Sequence, residues 1–325
     1  MAGKSDKHYD KEQNDSEWDS RSLASSFFHN IFYITIRLTG QNVAYVLLFF
    51  VVTFYTLTPR INKRASYYIM HRFGKCSLLQ RMRHTFLLYW NFGQMLVDRA
   101  VLGILNTFES KSATQDTNKI TELHAENNGL ILITGHVGCW QLGMSALSFI
   151  NAPKAVVMFR DKKDIDKLSF EHKKTNSQTN RNKDNDFTII NPASPMGGAI
   201  EMVDALKRKS ILCINADRTF GSNKNTVPAK FLGGTILLPI SAFKLAAVMK
   251  TPIVITFSAR TGASKSKFWI AGTIRVPQDV DKGETRGAKA FTPYANEFAK
   301  ALENYCESHP YQFYNFFNMW QPHDR

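Results

Sequence analysis

The sequence predicts an α/β fold, a mixed sheet covered by helices on both faces, preceded by an apolar helix that associates with a membrane. Three observations predict it. Short apolar runs at residues 130–134, 155–159, 211–215, 253–257 and 268–276 have the length of strands buried on both faces. Helical stretches at 198–209, 242–250 and 292–306 alternate with them, the pattern of a sheet packed between helices. Residues 38–59 carry no charge at all.

In chain order, residues 1–25 are polar and of mixed charge, so they form a tail too hydrophilic to bury anything. They are no signal peptide, because no apolar stretch begins before Phe27. Residues 26–59 form the apolar segment. At about 1.5 Å per residue, 43–57 cover about 22 Å and the uncharged run about 33 Å, against about 30 Å of hydrocarbon. A tilted span, a shallow interfacial or re-entrant helix, and a buried core helix are all compatible with that length. Arg60, Lys63, Arg64, Arg72 and Lys75 crowd its C-terminal flank while Arg37 stands alone before it, so a spanning segment leaves the bulk of the protein cytoplasmic.

The remaining domain is 60–325. Residues 61–105 read as helix, with Tyr67, Met70, Leu78, Leu79, Met82, Phe86, Leu87 and Trp90 at three-to-four spacing. Strand 130–134 then runs into Gly135 and His136, with a helix expected from about Cys139. Strand 155–159 ends at Arg160. Residues 161–187 are highly charged and nearly free of apolar side chains, so a long loop or lid is expected there.

Composition narrows the function. The chain has 325 residues, 44% hydrophobic and 21% charged, which excludes a disordered protein. Its four cysteines lie far apart with no CxxC pair, which excludes a disulfide scaffold or a sequence-local zinc knuckle and suits a reducing compartment. A net charge of +14 favours a polyanionic partner: nucleic acid, anionic lipid headgroups or an acidic carrier protein. No nucleic-acid-binding motif is present, and much of the basic surplus sits beside the apolar segment.

The residues best placed for chemistry lie in 133–141, Ile-Thr-Gly-His-Val-Gly-Cys-Trp-Gln. Gly135 and Gly138 let the backbone turn tightly and a substrate approach closely. Free N–H groups at a helix start favour negative charge, so His136 can act as a general base beside an oxyanion site. A lone histidine at a strand end is more often a structural residue. Cys139, three residues on, sets a Cys–His nucleophile against the plainer reading of a small buried hydrophobe. Arg160 and Arg218 each follow a β-rich stretch and can converge on the same sheet edge, or form ordinary salt bridges. Gly233, Gly234 and Pro239 shape a turn.

This block resembles the H-x4-D/E motif of the lysophospholipid acyltransferase superfamily, in the form of the bacterial lipid A late acyltransferases (lauroyl and myristoyl transferases). The resemblance continues in order through 64–70, 89–98, Val157-Met-Phe-Arg160, Asn215-Ala-Asp-Arg218, Ala229-Lys-Phe-Leu-Gly-Gly234, 237–239 and the aromatic segment 310–320, which is similar to a divergent branch of predicted acyltransferases. It covers residues 40–320 and implies a glycerol-phosphate acyltransferase-like fold at the bacterial inner membrane. It implies transfer of a fatty acyl group from a thioester on acyl carrier protein or CoA to a hydroxyl of a membrane glycolipid, with no metal or cofactor. His136 is the implied base. Gly138, Arg160, Asp217, Arg218 and Gly233 are the implied substrate-binding residues, the arginines meeting phosphate. One departure stands out: Gln141 occupies the position of the family's acid. Gln141 is expected to hold the imidazole through its side-chain oxygen but supplies no charge. Asp217 can replace that charge, or serve as a turn residue or a partner of Arg218. A catalytically weakened, membrane-attached lipid-binding or scaffold protein is the alternative that Gln141 leaves open. The aromatic run 311–320 can line an acyl-chain channel or pack the core beneath the last helix.

Overall fold

A computed structural model describes residues 26–126, 128–142, 147–159, 187–219, 225–282 and 286–320. The predicted polar tail, Arg160 and nearly all of the predicted charged loop lie outside the described residues.

The chain begins with helices α1 (Ser26–Thr39), α2 (Gln41–Leu57), α3 (Pro59–Phe73) and α4 (Leu78–Leu105). Gly40, at φ 84°, separates the first two in a conformation open to glycine. Every fourth residue of α2 is buried, Ala44, Leu48, Val52 and Thr56, and this stripe lies on α4. The two helices approach closely because α4 offers Gly93 there: a Cβ on Gly93 would lie 2.4 Å from Leu48 Cδ1. Pro59 opens α3, and the axis turns by 86° between α2 and α3. The single helix expected over 61–105 is two, because Gly74 at φ 72° ends α3 and a Ser77–Gln80 capping box starts α4. Among the described residues no single helix is long and apolar enough to cross a membrane; only the bent α2–α3 pair reaches that length and composition.

The sheet has seven strands. In chain order they are β1 (Glu109–Ser112), β2 (Leu130–Thr134), β3 (Lys154–Val157), β4 (Phe187–Ile190), β5 (Ile211–Asn215), β8 (Ile253–Gly262) and β9 (Lys265–Ile274). Their spatial order is β1-β9-β8-β2-β5-β3-β4, parallel except for the β8–β9 hairpin, so the sheet is mixed as predicted. Alternation along β2 feeds two cores. Leu130 and Leu132 join Ile211, Val254 and residues Ile120 and Leu123 of helix α5 (Thr114–Ala125). Ile131 and Ile133 join Leu212, Ile253 and Ile255 on the other face. That second core also takes in α6 (Ala199–Lys207), α7 (Ser241–Met249) and α8 (Thr292–Ser308). A separate hairpin, β6 (Thr226–Phe231) and β7 (Gly234–Pro239), turns through Leu232 and Gly233, both at positive φ.

The helix expected from Cys139 is not present over the described residues to 142. The chain there makes turns, because Gly138 sits at φ +50° and Val137 pairs with Phe313 instead of starting a helical ladder.

Candidate active site

β2 and β5 run parallel with Thr134 opposite Asn215, so the residues two beyond each strand end meet at one level. These are His136 and Asp217, at the carboxyl edge of the sheet, where open α/β folds place their ligands. Ala216 N–H donates to Thr134 O at 2.8 Å and carries the register one residue past the strands.

Asp217 is 1% exposed and accepts from three donors. His136 Nδ1 lies 2.8 Å from Oδ1, the His136 backbone N–H donates to Oδ2 at 2.9 Å, and Asn315 Nδ2 donates to the same oxygen at 2.8 Å. Burial pushes the Asp217 carboxyl up, but the imidazole, Arg218 and these hydrogen bonds outweigh it and hold the group well below the usual carboxylate range. An ionised Asp217 fixes the proton on Nδ1 and leaves the lone pair on Nε2. The His136 side chain keeps 16% of its surface exposed, and Nδ1 faces a carboxylate with none, so Nε2 is the nitrogen left to meet a substrate. Enclosure of the ring and the charge of Arg218 lower the imidazole below its ordinary value, against the pull of Asp217. Both effects favour the neutral ring, the form a general base requires.

Behind this pair stands the C-terminal segment. Arg218 donates through Nε to Asn315 Oδ1 and through Nη2 to Tyr314 O at 2.8 Å, and lies over the Phe317 ring. Burial lowers the Arg218 guanidinium to about 10, with Asp217 opposing. Tyr314 N–H donates to His136 O at 2.8 Å, and Gly138 N–H donates to Gln312 O at 2.8 Å. The histidine turn is thus held from outside by residues 312–315, as an added strand would hold it. Gly138 is obligatory in that clamp: a Cβ there would sit 1.8 Å from Ser258 O.

Two expectations are corrected by this geometry. Gly138, an implied substrate-binding residue, has its N–H taken up by Gln312 O. Gln141, expected to orient the imidazole, instead accepts through Oε1 from Arg99 of α4, because the turns at 138–142 direct it toward that helix. The ring's acceptor is Asp217. Arg218 is turned toward the C-terminal segment through two of its nitrogens, and Gly233 forms the exposed tip of the β6–β7 hairpin, outside the histidine cluster. Cys139 is wholly buried among Met95, Leu142 and Tyr314, and burial pushes its thiol up to about 12, which leaves no thiolate for nucleophilic attack. Phe313, Tyr314 and Trp320 of the aromatic run are buried in core contacts, Trp320 stacked on His71 at 3.9 Å.

Sequence reasoning missed Asn315 and Asn215. Asn215 Nδ2 lies 3.4 Å from His136 Nε2, the side-chain amide beside the reactive nitrogen. Its signal was its place at the end of an apolar strand, level with Thr134. Asn315 had no local signal, since its partner lies 98 residues away.

An α/β sheet with a histidine–aspartate pair at the carboxyl edge of its parallel strands is the framework of an acid–base enzyme. The family model described as bacterial lipid A biosynthesis acyltransferase matches residues 13–321, nearly the whole chain. The protein belongs to that family and is an acyltransferase. No curated protein matches the chain.

Proposed function

We propose that the protein transfers a fatty acyl group from a thioester donor, acyl carrier protein or acyl-CoA, to a hydroxyl of a lipid A-like glycolipid, at the inner face of the bacterial plasma membrane. The observation that carries this reading is the His136–Asp217 pair, in which Asp217 takes up Nδ1 and leaves Nε2 for the substrate. Nε2 removes the acceptor hydroxyl proton as the oxygen attacks the thioester carbonyl. Asp217 keeps the tautomer and stabilises the imidazolium that forms. The tetrahedral oxyanion collapses, the C–S bond breaks, and the thiolate takes the proton from Nε2. The thioester is already activated and its thiolate leaves readily, so the base and its carboxylate suffice for proton transfer. Asn215, whose Nδ2 lies 3.4 Å from Nε2, orients the hydroxyl or the oxyanion.

Asn315 and Arg218 are positioning residues, fixing Asp217 and the histidine turn together. The alternative of a catalytically weakened scaffold rested on the missing charge at Gln141; in the reading proposed, Asp217 supplies that charge. A net charge of +14 suits an acidic carrier protein and anionic headgroups alike.

The test is turnover by purified protein with acyl carrier protein and CoA thioesters supplied separately, product being read by mass spectrometry. His136→Ala is expected to lose about 10²–10⁴-fold in kcat with the circular dichroism spectrum unchanged. Full turnover by folded His136→Ala removes the base from the mechanism.

A further inference from the structure

We infer that the N-terminal helices bind the surface of an anionic phospholipid bilayer side-on, with the outer face of α2 entering one leaflet and no segment from α1 to α4 crossing it. The inference deepens the proposed function, because it says how an enzyme with a lipid acceptor meets the membrane.

The first ground is the way α2 is held. Its inner stripe lies on α4 along its length, from Ala44 to Thr56. Its first turn is fastened by a buried polar cluster: Gln41 Nε2 donates to Asp98 Oδ1 at 2.6 Å, Tyr45 donates to the same oxygen, and Arg260 of β8 donates through Nε to Asp98 Oδ2 at 2.8 Å and through Nη2 to Tyr45 Oη at 2.9 Å. Its last turn is fastened by Asn62 Nδ2 donating to Thr56 O at 3.2 Å. A helix fastened to α4 and β8 at its first turn, to α3 at its last, and to α4 along its inner stripe cannot cross a bilayer without drawing α4 in with it. That would bring Asn91, Gln94, Asp98 and Arg99 to membrane depth, where polar and charged groups are costly. The 86° turn into α3 also breaks the only stretch of sufficient length among the described residues.

The second ground is the outer face. Val46, Phe50, Phe54 and Leu57 of α2 are 60–65% exposed, and Leu38 of α1 is 76% exposed. Such a row on a packed helix marks an interaction surface.

The third ground, charge, selects the occupant. Residues 26–105 contain nine Lys and Arg and a single carboxylate, Asp98, which is fully buried against Arg260. Arg60, Lys63 and Arg64 follow Leu57 directly and are exposed. A segment that carries no exposed acid, apolar in one strip and basic beside it, matches acyl chains bordered by anionic headgroups.

The experiment is flotation of the full chain with vesicles of phosphatidylglycerol and phosphatidylcholine, against phosphatidylcholine alone. Binding is expected to be at least about tenfold greater on the anionic vesicles and to fall with salt. The double variant Phe50→Glu/Phe54→Glu should lose about tenfold or more in binding while keeping acyl transfer to detergent-dispersed acceptor. With a membrane-impermeant maleimide outside the vesicles and mass-spectrometric readout, Asn42→Cys and Lys75→Cys, at opposite ends of the α2–α3 pair, should both be labelled. Labelling of one alone until the vesicles are lysed would show a span and overturn the inference. Equal flotation on neutral vesicles at high salt would overturn it too. So would a double variant that floats normally but converts a dimer to a monomer, since the face would then belong to a second copy. Flotation and labelling as expected in a preparation that transfers no acyl group would support this placement and overturn the reaction instead.

Discussion

A carboxylate with no exposed surface is tolerated only while its donors stay in place, and the three donors of Asp217 all belong to the machinery of one turn: the ring and backbone of His136 and the amide of Asn315. Asp217→Asn keeps the shape but can present its NH2 to Nδ1, which favours the wrong tautomer. A fall in kcat of about 10³–10⁴-fold is expected, on the scale of the corresponding change in a serine protease. Gln141→Glu is the informative contrast. The carboxylate it introduces would pair with Arg99, away from the ring, so turnover should stay within about threefold and the pH profile should keep its shape. The acid limb of kcat/KM reports the free imidazole. Activity needs its neutral form and is lost as pH falls through its pKa, and that pKa is lowered, so the limb should lie below pH 6.5 in the wild type and in Gln141→Glu alike. A limb moved upward by Gln141→Glu would return Gln141 to the ring. The sequence made His136 legible because Gly135, His136 and Gly138 are contiguous. It misplaced the ring's acceptor because the H-x4-D/E spacing was laid on a helix that the turns at 138–142 do not form.

Elements divide in the same way. Strands such as β2 and β5, buried on both faces, announce themselves as apolar runs, and helices α7 and α8 as periodic ones. β1, with the sequence Glu-Ser-Lys-Ser, is a polar edge strand held by β9, and no periodicity of its own reveals it. The strand-like hold of residues 312–315 on the histidine turn is likewise a matter of long-range pairing. Two outcomes follow at this scale. Gly138→Ala places a methyl group against Ser258 O and Tyr305 Oη at positive φ, so the variant should either fail to fold or unfold at a markedly lower temperature, with activity lost. Asn315→Ala removes one donor from Asp217 and one acceptor from Arg218, a loss of about 1–3 kcal/mol in urea unfolding. Because Asn315 is buried against Asp217, kcat should fall with KM nearly constant. Asn315→Asp, which puts a second carboxylate against Asp217, should be worse than alanine in kcat above pH 5. A purely structural Asn315 would lose stability in both variants without that order in kcat.

For the whole molecule, what matters is how an apolar N-terminal unit is joined to a polar catalytic sheet. One buried part of the joint is the ion pair of Asp98 of α4 with Arg260 of β8, completed by Gln41, Tyr45, Gln94 and the Ser264 backbone N–H. Asp98 has no exposed surface, so its charge is stable only because the guanidinium and neutral donors surround it. Arg260→Met would keep the stem's packing and leave the carboxylate without its counter-charge, costing about 3–5 kcal/mol. Asp98→Leu/Arg260→Met removes both charges together and should cost less than Arg260→Met alone, or come close to wild type. Urea unfolding of the four proteins of this cycle, at one detergent concentration, measures the coupling. The joint also sits beside Cys139 and Tyr314, whose surroundings feel both charges. Loosening it should therefore lower acyl transfer in Arg260→Met and restore it in the double variant. If Arg260→Met unfolds like wild type, the ion pair contributes little to the joint, and contacts of α3 with the C-terminal segment, such as His71 stacked on Trp320 and Tyr68 Oη donating to Pro310 O, must hold the two halves together.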